Sequence, residues 1–166
     1  MTKADGRRVE RAAGWVAAVA AATSLGVSVP QARADSPVEL MNVTIECHIG
    51  VKSVPSATCR KVTKFPDKSI EFVIQGDLNT DEPVKFRNPT AKCTLGWFDE
   101  KLSCYQHPTY VNHQASTWRV ILEGDKGYLI HNIGADCYLY IDPTGVTCAP
   151  GRPDPIDATF YWRLLG

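Results

Sequence analysis

Beyond residue 34 this 166-residue chain has no long apolar run: nothing approaches the roughly 18 consecutive apolar residues a membrane-spanning helix needs. It also has no excess of either charge, with 18 Lys+Arg against 18 Asp+Glu. Residues 1–34 hold five of the basic and two of the acidic ones, so the remainder carries 13 against 16, a net charge of −3. That balance excludes the basic stripe of a nucleic-acid binder and the polybasic patch of a peripheral membrane protein. No segment of the remainder shows a convincing 3.6-residue apolar period, which argues against helical architecture. A nucleophile elbow is missing too, and the paired carboxylates Asp81-Glu82 and Asp99-Glu100 sit at turns as solvated charge. The composition therefore argues against an enzyme and calls for no cofactor.

The N-terminus has a composition of its own. Arg7, Arg8 and Arg11 precede an apolar stretch from Ala12 to Val29, and Ala32-Arg33-Ala34 follows as a small-x-small cleavage site. This is the anatomy of a bacterial secretory signal peptide. Arg7-Arg8 suggests a twin-arginine signal, but Glu10-Arg11 stand where that signal is apolar, so ordinary export is the expectation. Cleavage after Ala34 leaves residues 35–166 as a single secreted, extracellular domain. All six cysteines lie in that part, and export makes disulfides rather than metal ligation their expected state.

Those cysteines belong to a phrase written three times. Val38-Glu-Leu-Met-Asn42 is followed by Cys47, Cys59 and Phe72. Val84-Lys-Phe-Arg-Asn88 is followed by Cys93, Cys104 and Trp118, and Tyr128-Leu-Ile-His-Asn132 by Cys137, Cys148 and Trp162. Asn to first Cys is 5 positions in every copy, the cysteines are 12, 11 and 11 apart, and the asparagines recur after 46 and 44 residues. A period in that range marks a repeat architecture. Six cysteines allow 15 pairings, and the repetition selects one bridge per copy: Cys47–Cys59, Cys93–Cys104 and Cys137–Cys148. Each closes a hairpin that brings its cysteines opposite each other across adjacent strands. The expected turns are Lys52–Pro55, Phe98–Lys101 and Asp142–Gly145. Asn42-Val43-Thr44 matches a glycosylation sequon, but Asn88 and Asn132 at the equivalent places point to a turn role, as an Asx-turn or left-handed residue.

Each copy alternates with the period 2 of a strand. Two and four positions after each first Cys stand Ile49/Val51, Leu95/Trp97 and Leu139/Ile141, expected to face inward with the bridges. Closing strands carry Phe72/Ile74, Trp118/Val120 and Trp162/Leu164. Four short strands per copy, three times over, resemble the β-trefoil, a six-stranded barrel capped by three hairpins. The fold expectation is all-β, with pseudo-repeats 38–76, 84–124 and 128–166 of about 44 residues. Among trefoils, the ricin-B-type lectins also carry intra-repeat disulfides, but their Gln-x-Trp hallmark reads Ile70-Glu71-Phe72, Ser116-Thr117-Trp118 and Phe160-Tyr161-Trp162 here, without the glutamine. Their sugar-binding aspartate two residues after a first-hairpin cysteine is replaced by Ile49, Leu95 and Leu139.

The face opposite the bridges offers Phe98, Tyr138 and Tyr140 as solvent-facing aromatics near hairpin tips. Two loops after the second cysteines add candidates: His107, Tyr110 and His113 in one, and Arg152 in the proline-stiffened Ala149–Pro155. No third ligand accompanies His107 and His113, so no metal is expected. Arg119 and Arg163 should be solvated charges flanking the barrel. A stiff, Arg-bearing loop resembles what trefoil-type protease inhibitors present. The reading is a secreted, non-enzymatic protein that binds an extracellular protein partner, as a protease inhibitor or as an accessory subunit of a secreted complex such as an antibacterial toxin assembly. The alternative is a lectin with a non-standard glycan site.

Overall fold

The computed structural model describes residues 36–61, 68–106 and 113–166. The expected signal segment, 1–34, lies outside them. Twelve strands run through the described residues: β1 Pro37–Asn42, β2 Cys47–Ser53, β3 Ser56–Lys61, β4 Glu71–Gln75, β5 Lys85–Asn88, β6 Cys93–Phe98, β7 Lys101–Tyr105, β8 Trp118–Leu122, β9 Tyr128–Asn132, β10 Cys137–Asp142, β11 Gly145–Pro150 and β12 Trp162–Leu165. The helical segments among these residues are short 3-10 turns. None is long and apolar enough to cross a membrane.

Pairing is antiparallel throughout and closes on itself. A ring of seven strands runs β1–β2–β3–β7–β6–β5–β4 and back to β1. A second cycle joins β1, β4, β5, β8, β9 and β12, with the isolated bridge Val84↔Trp118 just ahead of β5 supplying one link. Closure satisfies strand edges that would otherwise attract other chains. The interior is filled from the alternating positions: Leu40, Ile49, Phe72, Phe86, Leu95, Trp118, Leu139 and Trp162 are fully buried.

Three disulfides join Cys47–Cys59, Cys93–Cys104 and Cys137–Cys148, each with Cα atoms 5.3–5.4 Å apart. Their register corrects one expectation. The bridged cysteines are not directly opposite: Cys59 faces Ile49, Cys104 faces Leu95 and Cys148 faces Leu139. Each bridge therefore runs diagonally between positions two apart, where side chains on one sheet face still meet.

Asn42, Asn88 and Asn132 are completely buried and explain their recurrence. Each side-chain oxygen accepts from backbone N–H groups just ahead: Thr44 and Ile45 to Asn42, Ala91 to Asn88, and Ala135 to Asn132. Each side-chain amide donates to the short turn before a closing strand: Asn42 to Thr159 and Tyr161, Asn88 to Ser69 and Glu71, Asn132 to Ala115. The Asx-turn is thus present. The left-handed residue stands instead immediately before each first cysteine, at Glu46, Lys92 and Asp136.

Candidate functional site

The three hairpin tips differ in chemistry. In the third, Asp142 pairs with Gly145 and its Oδ1 accepts from the Thr144 N–H, the Thr144 hydroxyl and the Gly145 N–H. The Thr144 side chain and backbone, with a lesser contribution from Gly145, hold the Asp142 carboxyl below its ordinary pKa against the opposing effect of desolvation. Asp99 and Glu100 turn the second hairpin with φ of 49° and 60°, the primed geometry that matches strand twist. The first hairpin turns at Val54-Pro55, between the paired Ser53 and Ser56, one residue later than the expected centre.

The outer face of each hairpin is not open. A 3-10 turn lies across it: Lys68–Ile70 on β2, His113–Ser116 on β6 and Ala158–Phe160 on β10. Where that turn comes closest the first two hairpins carry Gly50 and Gly96, and a Cβ at Gly96 would stand 2.7 Å from the Ala115 carbonyl oxygen. The expectation that Phe98 faces solvent is therefore corrected. Its ring folds back over Gly96, meets Tyr105 edge-on at 4.6 Å and is 7% exposed.

The third hairpin is built differently because Tyr140 occupies the place of those glycines. Its ring stacks on Phe160 with centroids 4.8 Å apart, and Tyr138 lies against His131 at 4.6 Å. Both tyrosines are half-buried rather than solvent-facing. Around them Leu129, Phe160 and Tyr161 form a small core on the outside of the barrel, with Val43, Ile121, Ala149 and Ile156 packed at its margin. His131 Nε2 lies 2.9 Å from Asp136 Oδ1, while its buried Nδ1 has no partner among the described residues. The N–H directed at the carboxylate is therefore on Nε2.

Arg152 is exposed as expected, but its guanidinium donates to Glu123 Oε1 at 2.6 Å, and Lys126 sits 5.8 Å from the Tyr161 ring centre. Tyr138 and Tyr140 thus share the outer face of the third hairpin, while Arg152 is paired with Glu123 and Phe98 is not part of that face. His107 and Tyr110 lie outside the described residues; His113 opens a 3-10 turn, and its side chain is not described. Sequence reasoning missed Phe160 and Tyr161, whose signal was a Phe-Tyr-Trp run where the other copies carry Ile-Glu-Phe and Ser-Thr-Trp. Among the described residues no cluster of His, Cys, Asp or Glu suits a metal ion.

Comparison with known proteins defines the fold alone. A designed 3-fold symmetric protein, ThreeFoil, superposes with a TM-score of 0.64 at 13% identity over 80% of this chain and 99% of its own. A Caenorhabditis elegans protein of unknown function gives 0.62 at 13% identity over 84% and 98%. The chain is accordingly an all-β, trefoil-like protein with three internal disulfides, a covalent pattern consistent with an extracellular protein. No protein-family model matches the sequence, and neither does any curated protein.

Proposed function

We propose that residues 35–166 form a β-trefoil of three pseudo-repeats, exported from a bacterial cell, that acts by binding another extracellular protein through the outer face of its third hairpin. The observation that carries this reading is the pair of tyrosines on β10. Each has one ring face fixed on a neighbour, Tyr138 on His131 and Tyr140 on Phe160, and each remains partly accessible. Aromatic side chains already held in place lose little entropy on docking and suit the centre of an interface. A bridge across β10 and β11 stiffens their support. The partner fits either an accessory role in a secreted complex or an inhibited protease. For the inhibitor version, Arg152 would have to leave Glu123, which favours the tyrosines over the proline loop as the contact.

A glycan is the second reading. It is favoured by the polar His131–Asp136 pair next to the Tyr138 ring, a combination of stacking face and hydrogen-bonding groups that sugars use. The deciding experiment is affinity capture from culture supernatant with the wild-type protein and with Tyr138→Ala, beside a glycan array and a protease panel. A stoichiometric protein partner retained by the wild type and lost by the variant is the expected result. Glycan retention lost on Tyr138→Ala, with no protein recovered, would move the assignment to a lectin. Inhibition lost on Arg152→Ala would place the contact on the proline loop instead.

A further inference from the structure

The corresponding parts of the three copies differ in charge. From the residue before each first cysteine to the end of the 3-10 turn, residues 46–70 hold five Lys+Arg against two Asp+Glu, a net charge of +3. Residues 92–116 hold two against two, and residues 136–160 hold one against four, a net charge of −3. The lone cation of the third span, Arg152, already donates to Glu123. Asp136, Asp142, Asp154 and Asp157 are thus left without an opposing Lys or Arg in their own span.

Three of these carboxylates bracket the aromatic face. Asp142 lies two residues beyond Tyr140 on the same side of β10, and Asp157 opens the turn whose Phe160 stacks on the Tyr140 ring. The hydrogen bonds at both aspartates fall on Oδ1, from Thr144 and Gly145 at one and from Thr159 at the other. Each Oδ2 is without a partner among the described residues. Asp136 binds His131, which lies against Tyr138, and its side chain stays 86% exposed. This face already holds one cation: the Lys126 ammonium stands 5.8 Å from the Tyr161 ring centre, within the range at which a ring's quadrupole attracts positive charge. Arg119, exposed on β8 opposite His131, weakens the negative field at that edge. The pull on a further cation is therefore strongest at the Tyr140 end.

We infer, on the reading that the tyrosine face is the contact, that the partner presents a basic segment, with a lysine or arginine lying over the open face of Tyr140 and flanked by Asp142 and Asp157. The ring gives the cation a fixed surface, and the carboxylates steer the segment in and set its register. Neither of the other hairpins offers this. The places of Tyr140 and Asp142 are taken by Gly50 and Lys52 in the first, and by Gly96 and Phe98 in the second.

The test is a titration of the full disulfide-bonded protein with a blocked tri-arginine peptide, followed by NMR through the ring signals of Tyr138 and Tyr140. Saturable shifts are expected, and raising salt from about 50 to about 500 mM should weaken binding severalfold. Asp142→Asn combined with Asp157→Asn keeps both turn acceptors and removes both charges; it should weaken binding about fivefold. Tyr140→Leu keeps apolar cover on Phe160 and should weaken binding about threefold, read at Tyr138. Glu100→Gln, at the tip of the second hairpin, should change nothing. Shifts that are absent, that a blocked tri-glutamate peptide reproduces, or that persist undiminished in the double aspartate variant would overturn the proposal. Capture from culture supernatant tells its failure from that of the tyrosine face. A partner lost on Tyr138→Ala but held at high salt and by the double variant keeps the face and removes the basic segment. A partner indifferent to Tyr138→Ala removes the face itself. Self-association that salt dissolves and the double variant abolishes would overturn a foreign partner and give the face to the basic first hairpin of a second copy.

Discussion

The indole N–H of Trp162 donates to the Leu139 carbonyl at 3.1 Å, 23 residues back in the chain. Trp118 makes the same bond to Leu95 at 3.0 Å. Both indoles are fully buried, so each ties a closing strand to the inner strand of its own hairpin inside the apolar core. At the corresponding place in the first copy stands Phe72, which has no donor to offer.

That difference makes Trp118→Phe an informative change. The aromatic bulk largely stays, but the buried Leu95 carbonyl loses its donor, which should cost about 1–3 kcal/mol. Denaturant unfolding of the oxidised protein reads it. A loss within a few tenths of zero would mean that the carbonyl finds another partner.

The buried asparagines should be more sensitive than their size suggests. Asn132→Ala removes the donor to Ala115 and the acceptor for the Ala135 N–H together. The Ala115 carbonyl left without its donor is buried and should cost about 1–3 kcal/mol, with a smaller share from the part-buried Ala135 N–H, so a marginally stable domain should unfold visibly earlier on heating. Asn132→Asp should also destabilise, because a carboxylate would then face the Ala115 carbonyl. Near-wild-type melting of the aspartate variant would show that only the acceptor matters.

Gly96→Ala tests the close approach of the 3-10 turn. An added methyl would lie 2.3 Å from the Phe98 ring and 2.7 Å from the Ala115 oxygen. The ring can move, but the backbone carbonyl cannot do so cheaply. A loss of about 1–3 kcal/mol is expected from this overpacking. Gly145→Ala is a useful contrast: no atom lies within 4 Å of its Cβ position, and its cost comes from φ of 135° alone.

Asp142 should contribute a pH-dependent term. Its pKa in the folded protein is lowered from the ordinary 3.8, chiefly by the Thr144 hydroxyl. The stabilisation is therefore complete above the ordinary aspartate value and is lost as pH falls through the lower folded value. Comparing acid unfolding of the wild type with Asp142→Asn measures it. The variant should lose this share of the acid dependence, and identical curves would show that the tip contributes nothing.

Much of the scaffold is legible in the sequence because it is local or repeated. Disulfide pairing follows from the recurrence of cysteines at fixed distances from Asn42, Asn88 and Asn132, and the inward faces follow from period-2 alternation. Ile49, Leu95 and Leu139 are buried as that alternation requires. Arg119 and Arg163 are exposed. The candidate surface was less legible. Alternation says which side of a strand a residue occupies, but not whether something else lies on that side. Phe98 and Tyr140 both belong to the outward set, yet Phe98 is sealed by Gly96 and Tyr105 while Tyr140 rests half-buried on Phe160.

What the chain determines by itself is the arrangement of near neighbours: turns, strand faces and the cysteines joined across each hairpin, all set by spacing of a dozen residues or fewer. What only the tertiary structure decides is how the thirds meet. The bond from Asn42 to Tyr161 spans 119 residues, and the joining of Ser56 to Ser103 depends on how separate hairpins pack. Such contacts carry no periodic signal, because each couples distant residues through geometry that exists only once the sheet has closed.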